Sequence, residues 1–458
     1  MVTVLGANTL SSGGFEVANS CRFDGSSSSM SITPGSNMNL DRWTWSGWIK
    51  RSSIGVLQSI LAADNAASDT TLIEFDANDK LNFLNLVSNN IKGKKITDRV
   101  FRDISAWYHI VVVWDSANST AADRIKIYVN GVRETSFATS DNPDSGVDSS
   151  LGESGVATLI GTYVGEDSRF FNGYLAEVVL IDGSALAPTS FGEFDEDSGI
   201  WKPIKVSGLT FGTHGFYLDF QASGNLGNDA NGGTDLGESG LAAVDQSTDT
   251  CTNNFATMNP LIPGQTNYTY SDGNLTITQG SAAWVKSNST FGMSSGKWYW
   301  EGKWVSGNYT VFAVDNTDTA APYSATSNSA VGYKRNGNVE IGTDPQTDIA
   351  AYAHGDTVSV ALDMDNDAVY FYKNGAIQNS GDPTSGASKT GAYALPVANS
   401  TYFANISPYG SGATSMNFGS PPYAISSSNA DEDGFGNFEY AVPAGYFALC
   451  SKNLAEYG

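Results

Sequence analysis

The chain has 458 residues, 40% of them hydrophobic and 12% aromatic, enough apolar material for two or three cored domains and too much for a disordered chain. Twenty-four Lys and Arg stand against 48 Asp and Glu, a formal charge of −24. So negative a surface repels phosphate backbones and anionic lipid, which argues against nucleic acid or membrane-surface partners. The three cysteines, Cys21, Cys251 and Cys450, are odd in number and far apart, so they give neither a disulfide framework nor metal-ligand spacing and are expected as small buried hydrophobes. The opening MVTVLGANTLSSGG lacks a basic region before an apolar run, so no signal peptide is expected. No run of 18 apolar residues calls for membrane insertion. Asn-x-Ser/Thr triplets at Asn118, Asn267, Asn274 and Asn308 are taken as a by-product of composition.

From about residue 20, apolar and polar residues alternate in short runs bounded by turn formers, the period of β-strands. Met30-Ser31-Ile32 and Trp43 to Ile49 follow this pattern. Trp107 to Trp114 (WYHIVVVW) is apolar on both faces, as a central sandwich strand should be. Ile125, Ile127 and Val129 then face inward and Arg124, Lys126 and Tyr128 outward, closed by Asn130-Gly131, a dipeptide that tolerates positive φ. The same unit returns at Val358, Val360, Leu362 and Asp363, followed by Ala368 to Tyr372 and Asn374-Gly375. Aligned, the halves read VVVWD…RIKIYVNG and SVALD…AVYFYKNG. The fold class is all-β: two tandem antiparallel β-sandwich (jelly-roll) domains joined by a Gly/Asn-rich connector. The expected divisions are 1–205, a connector at 206–270, 271–420, and a C-terminal tail at 421–458. Within the connector, Thr210 to Phe220 is expected to pack as a strand on the first domain. No helix of three turns is expected.

Phe23-Asp24-Gly25, Trp43 to Lys50, Trp107-Tyr108-His109 with Asp115, Ile127 to Gly131 and Gly173 to Val178 together resemble the concanavalin A-like jelly rolls of the laminin-G type. Gly296 to Glu301, Gly332-Tyr333, Gly355-Asp356, Leu362-Asp363, Phe371 to Gly375 and Leu395-Pro396-Val397 resemble a SPRY domain. The pairing, with phrases such as Phe171 to Tyr174, Trp201-Lys202-Pro203 and Gly445 to Cys450, resembles bacteriophage virion proteins. That resemblance implies a non-enzymatic fibre, receptor-binding or capsid-decoration protein on the exterior of the virion. Its implied partners are other virion proteins and host-surface glycan, with homo-oligomerisation, a trimer by analogy. It supplies no ligand, because both modules are scaffolds with variable loops.

Candidate chemistry is thin, and no catalytic, metal or ligand-binding residue is assigned. A retaining glycosidase needs two carboxylates about 5–5.5 Å apart, and Glu193-Phe194-Asp195-Glu196-Asp197 is the nearest run. Flanked by Pro188, Ser198 and Gly199, it reads as a solvated loop. His109, His214 and His354 lie beside no nucleophile motif. Asp363 to Asp367 has the oxygen density for calcium but lacks the glycine and distal Glu of an EF-hand loop, so turn capping is the expected role. Asp141 to Asp144 and the run at Asp431 are weaker. No cofactor is expected, with structural calcium as the one metal alternative. Sugar binding would use loop aromatics flanked by Asn, Asp or Gln. Trp43, Trp45, Trp48, Trp107, Trp114, Trp298 and Trp300 sit inside strand patterns and are expected in the core; Tyr323 is a loop aromatic. The alternative reading is a glycan-active hydrolase or its carbohydrate-binding accessory module.

Overall fold

The fold was taken from a computed structural model, which describes residues 14–65, 68–163, 169–262, 267–317, 329–342 and 344–458. Tyr323 lies outside them. The chain divides into two compact units, Gly6–Thr252 and Asn253–Gly458, each an antiparallel two-sheet sandwich. Among the described residues no helix is long and apolar enough to cross a membrane. The one α-helix among them, Ser451–Tyr457, spans seven residues.

In the first unit one sheet runs, from one edge to the other, through Val132–Arg133, Ile125–Val129, Trp107–Asp115, Arg42–Arg51, Asn172–Asp182, Ser20–Asp24 and Gln246–Ser247. The facing sheet is centred on Lys80–Val87, Thr70–Phe75 and Gln58–Asp64. Their inner faces bury Trp43, Trp45, Ile110, Val112, Trp114, Ile125 and Ile127 against Ile73, Phe75 and Phe83. Trp107–Asp115 is apolar on both faces because its outer side is roofed. There Val111 and Val113 pack against Phe191 and Phe211, and the outward Tyr128 lies partly under the same cover.

In the second unit Lys297–Ser306, Thr357–Asp363 and Ala368–Lys373 form the middle of one sheet, opposed by Tyr402–Ile406, Val311–Asp315 and Ala330–Lys334. The core between them contains Trp298, Trp300, Phe312, Val360 and Phe371. All seven tryptophans expected in the core are there, none more than 2% exposed. The cysteines are free and buried.

The segment 206–270 is not a connector between the units. Phe216–Leu218 pairs with Asn172–Asp182, Gly237–Ser239 with Ser29–Ile32, and Gln246–Ser247 with Ser20–Asp24. Residues from Asn253 onward belong to the second unit. The Gly, Asn and Asp content hid this, because side chains replace the missing ladder. Asp229 accepts hydrogen bonds from the amides of Tyr217 and Gly233 at 2.8 and 3.0 Å, while Phe216, Leu218, Leu226 and Leu236 enter the core. Nor is 421–458 a separate tail. Phe447–Ala448 pairs in parallel with Lys297–Ser306, and Phe438, Tyr446 and Cys450 bury against Tyr299, Ala361 and Tyr370.

Candidate functional site

Each unit covers the outer face of its hairpin-bearing sheet with its own chain, and a carboxylate beneath the cover helps to hold it. In the first unit Glu177 sits at a β-bulge with φ of +49° and accepts a hydrogen bond from the Tyr217 hydroxyl at 2.5 Å. Burial pushes its carboxyl up to about 7. In the second unit Glu301 accepts from the amides of Glu439 and Tyr440 at 3.0 and 2.8 Å, and burial raises it also. A third buried carboxyl, Glu74, is raised by burial and held by Asn82 and Arg169. Burial raises all three carboxyls, and each is hydrogen-bonded within the packing.

The histidines and acidic runs have equally definite roles. His109 is buried between Trp48 and Trp201, with ring centroids at 4.8 and 5.8 Å. Its Nδ1 accepts from the Trp201 indole at 3.0 Å, so the proton lies on Nε2, which donates to Ser46 Oγ at 2.9 Å. Burial drives its pKa down to about 3, and it stays neutral. His214 contacts Ser36 Oγ, and His354 packs edge-on against Trp304. Glu193 and Phe194 form half of a two-stranded ribbon with Trp201–Pro203, and Asp195 caps its turn. Hydrogen bonds from the Ser198 amide and hydroxyl, then from Lys202, hold the Asp195 carboxyl far below the usual range. It is therefore a locked carboxylate.

Asp363 accepts from the Asn366 amide and side chain at 3.0 and 2.9 Å and pairs with Lys297 at 3.1 Å. Asp431 accepts four hydrogen bonds, from Asp433, Phe435, Ala448 and Asn453, and so bolts the C-terminal segment down. Among the described residues no three His, Cys, Asp or Glu side chains converge as a metal set.

In the first unit, four loop regions converge on a cleft of about 320 Å³. Leu40, Val87 and Val147 supply apolar wall, and Asp69, Asp148, Glu153 and Lys92 supply charge, with Ser149 and Ser150 at the floor. The floor is rigid. Ser149 Oγ accepts from the Trp43 indole at 2.9 Å and donates to the Leu40 carbonyl at 3.0 Å. Ser150 Oγ donates to the Ala63 carbonyl at 3.0 Å, and Asp69 is fixed by the Ser88 amide at 2.6 Å. Apolar wall with a few convergent polar groups is the make-up of a small-ligand site, and the volume is at the small end of that range. Carboxylates accept hydroxyl hydrogens and Lys92 donates, a set suited to a polyhydroxylated ligand. The sequence named none of these residues. They come from segments far apart in the chain, with no local motif, and only loop convergence at one end of a sandwich assembles them.

Residues 24–189 match a family described as the concanavalin A-like lectin/glucanases superfamily. No curated protein matches the chain. Among solved structures, the chain is similar to the SPRY domain of human HERC1, 19% identical over 33% of this chain and 92% of that one, with a TM-score of 0.27. It is also similar to the native heptameric SAP-like pentraxin from Limulus polyphemus, 17% identical over 38% and 80%, with a TM-score of 0.30. A third likeness is to the TRIM65 PSpry domain, 12% identical over 36% and 90%, with a TM-score of 0.27. The scaffold is two jelly-roll β-sandwiches, and the family match lies within the first of them.

Proposed function

We propose that this is a binding protein without catalytic activity, a fibre, receptor-binding or decoration subunit of a bacteriophage virion, whose first-unit cleft takes host-surface glycan. The observation that carries the binding role is the cleft itself, with apolar wall, three carboxylates, Lys92 and an anchored serine floor. Lectins and glucanases share the matched superfamily. The lectin side is favoured because the carboxyls raised by burial, Glu74, Glu177 and Glu301, are engaged in packing and do not line the cleft. The virion role rests on the resemblance of the chain's phrases to phage virion proteins. In that role the chain assembles with other virion proteins as a homo-oligomer.

The test has two arms. Fluorescently labelled chain should bind host cells and lose that binding in Lys92→Ala and Asp148→Ala, while antibody to the chain should label intact particles. Cell binding unchanged in both variants would remove the cleft from the account. Unlabelled particles would remove the virion.

A further inference from the structure

We infer that the second unit has its own saccharide platform, formed by Trp284, Tyr309 and Tyr409 with Arg335, separate from the first-unit cleft. Of the three tryptophans outside the expected strand patterns, Trp201 and Trp304 are 2% and 3% exposed, whereas Trp284 is only partly buried. It stacks on Tyr409 at 4.7 Å and 26°, and meets Tyr309 at 5.2 Å and 80°. The seven core tryptophans are at most 2% exposed, whereas these three rings are only half-buried, on loops at one end of the sandwich.

The loops are held in place before any ligand arrives. Tyr409 N donates to the Tyr309 carbonyl at 2.9 Å, and Gly410 N to the Ser281 carbonyl at 3.2 Å. At the base of the 307–309 loop a Cβ on Gly307 would fall 2.1 Å from Gly412 Cα, so the two backbones touch. His354 Nε2 donates to the Gly307 carbonyl at 2.7 Å.

Polar groups ring the aromatics. The Arg335 guanidinium lies over Tyr309 at 5.4 Å and over Trp304 at 5.5 Å, and it donates to the Asn308 carbonyl at 2.5 Å. That contact uses one of its five N–H groups and leaves donors for a ligand. Asn336 Oδ1 accepts from the Tyr309 hydroxyl at 3.0 Å, so the side chain's donor is its amide nitrogen. Asn308, Arg335, Asn336 and His354 are all exposed.

A pyranose has an apolar C–H face and a rim of hydroxyls, and this surface offers partly exposed aromatic rings bordered by N–H donors. Loop aromatics flanked by Asn are the pattern sugar binding calls for. The guanidinium adds a preference for sugars that carry a carboxylate, which it can meet with two parallel N–H bonds. With a formal charge of −24 on the chain, phosphate polymers are disfavoured as the occupant.

The test is binding of the full-length chain to an array of neutral and uronic-acid oligosaccharides, read beside the melting curve of each variant. Trp284→Ala should weaken a subset of sugars by about tenfold or more. Arg335→Ala, at an exposed position, should leave the melting curve in place and weaken the uronic-acid members most. Lys92→Ala should leave that subset bound. Sugars bound equally by wild type, Trp284→Ala and Arg335→Ala would overturn the platform, and if Lys92→Ala alone lost them, the cleft would stand. No sugar bound by the wild type would overturn both sites.

Discussion

The hairpins of the two units are superimposable in their chemistry and differ in how deeply they are sealed. In the first, Asp115 pairs with Arg42 on the neighbouring strand at 2.9 Å and is capped by Asn118, three residues on, at 3.0 Å. In the second, Asp363 pairs with Lys297, again directly across, and is capped by Asn366, again three residues on. Asn130 and Asn374 share a φ of +48°, Gly131 and Gly375 a φ of +77°. Each Asn side chain accepts from an amide near the start of the partner strand, at 2.8 Å from His109 and 2.9 Å from Thr357. Even the covers repeat. A Cβ on Gly131 would strike the Trp201 ring at 2.3 Å, and one on Gly375 the Tyr440 ring at 2.5 Å. The depth differs: the Asp115 side chain is 10% exposed and the Asp363 side chain 0%. What the comparison teaches is that the repeated residues are architectural, which leaves the loop ends that the units do not share as the ground for the proposed sites.

The largest break in the comparison should come from Glu301. Glu301→Ala strands the Glu439 and Tyr440 amides and removes the acceptor of the Tyr299 hydroxyl, while Asn417 keeps its bond to the Asn437 carbonyl. It should cost roughly 4 kcal/mol, read by urea unfolding, with early protease cleavage after about residue 421. Glu301→Gln, which keeps one acceptor, should cost about half as much.

Next is pH. The Glu177 carboxyl is raised from 4.5 to about 7 in the folded protein. A raised acid favours folding in its protonated form, so its contribution is full below pH 4.5 and is lost as pH rises through about 7. The first unit should lose roughly 3 kcal/mol across that window, and Glu177→Gln should flatten the slope. Hydrogen exchange at Phe216–Leu218, which the Glu177–Tyr217 bond holds to the sheet, reports it directly.

Smaller and matched effects should follow from the turns. Gly131→Ala and Gly375→Ala each combine positive φ with an aromatic in the way, so each should lower the stability of its unit by about 2 kcal/mol. Unequal values would mean that one cover yields more readily. Last, Asp363→Ala should cost about 2 kcal/mol and Asp115→Ala about 1, the order set by burial. The reverse order in thermal unfolding would break the account of depth.

Much of the fold was legible because period-2 alternation and Asn-Gly turns are local signals. WYHIVVVW and RIKIYVNG declare a central strand and its partner without help from the rest of the chain. The covers were not legible, because their anchoring depends on single residues such as Phe216, Asp229 and Asp431 set in Gly- and Asn-rich stretches. The cleft was invisible for the same reason: Leu40, Asp69, Lys92 and Asp148 have no sequence relation, and only the sandwich brings them together. Trp284 lay in between. It stood outside the strand patterns together with Trp201 and Trp304, and only partial burial and the stacking on Tyr409 set it apart from them.

The measurement that bears most directly on binding without catalysis is incubation of the purified chain with host-surface polysaccharide, following retention and new reducing ends together. The account predicts retention that falls in Asp148→Ala and Lys92→Ala, with reducing ends at the level of the blank. Reducing ends that rise with wild-type chain and stop in Glu193→Ala or Glu177→Gln would contradict it.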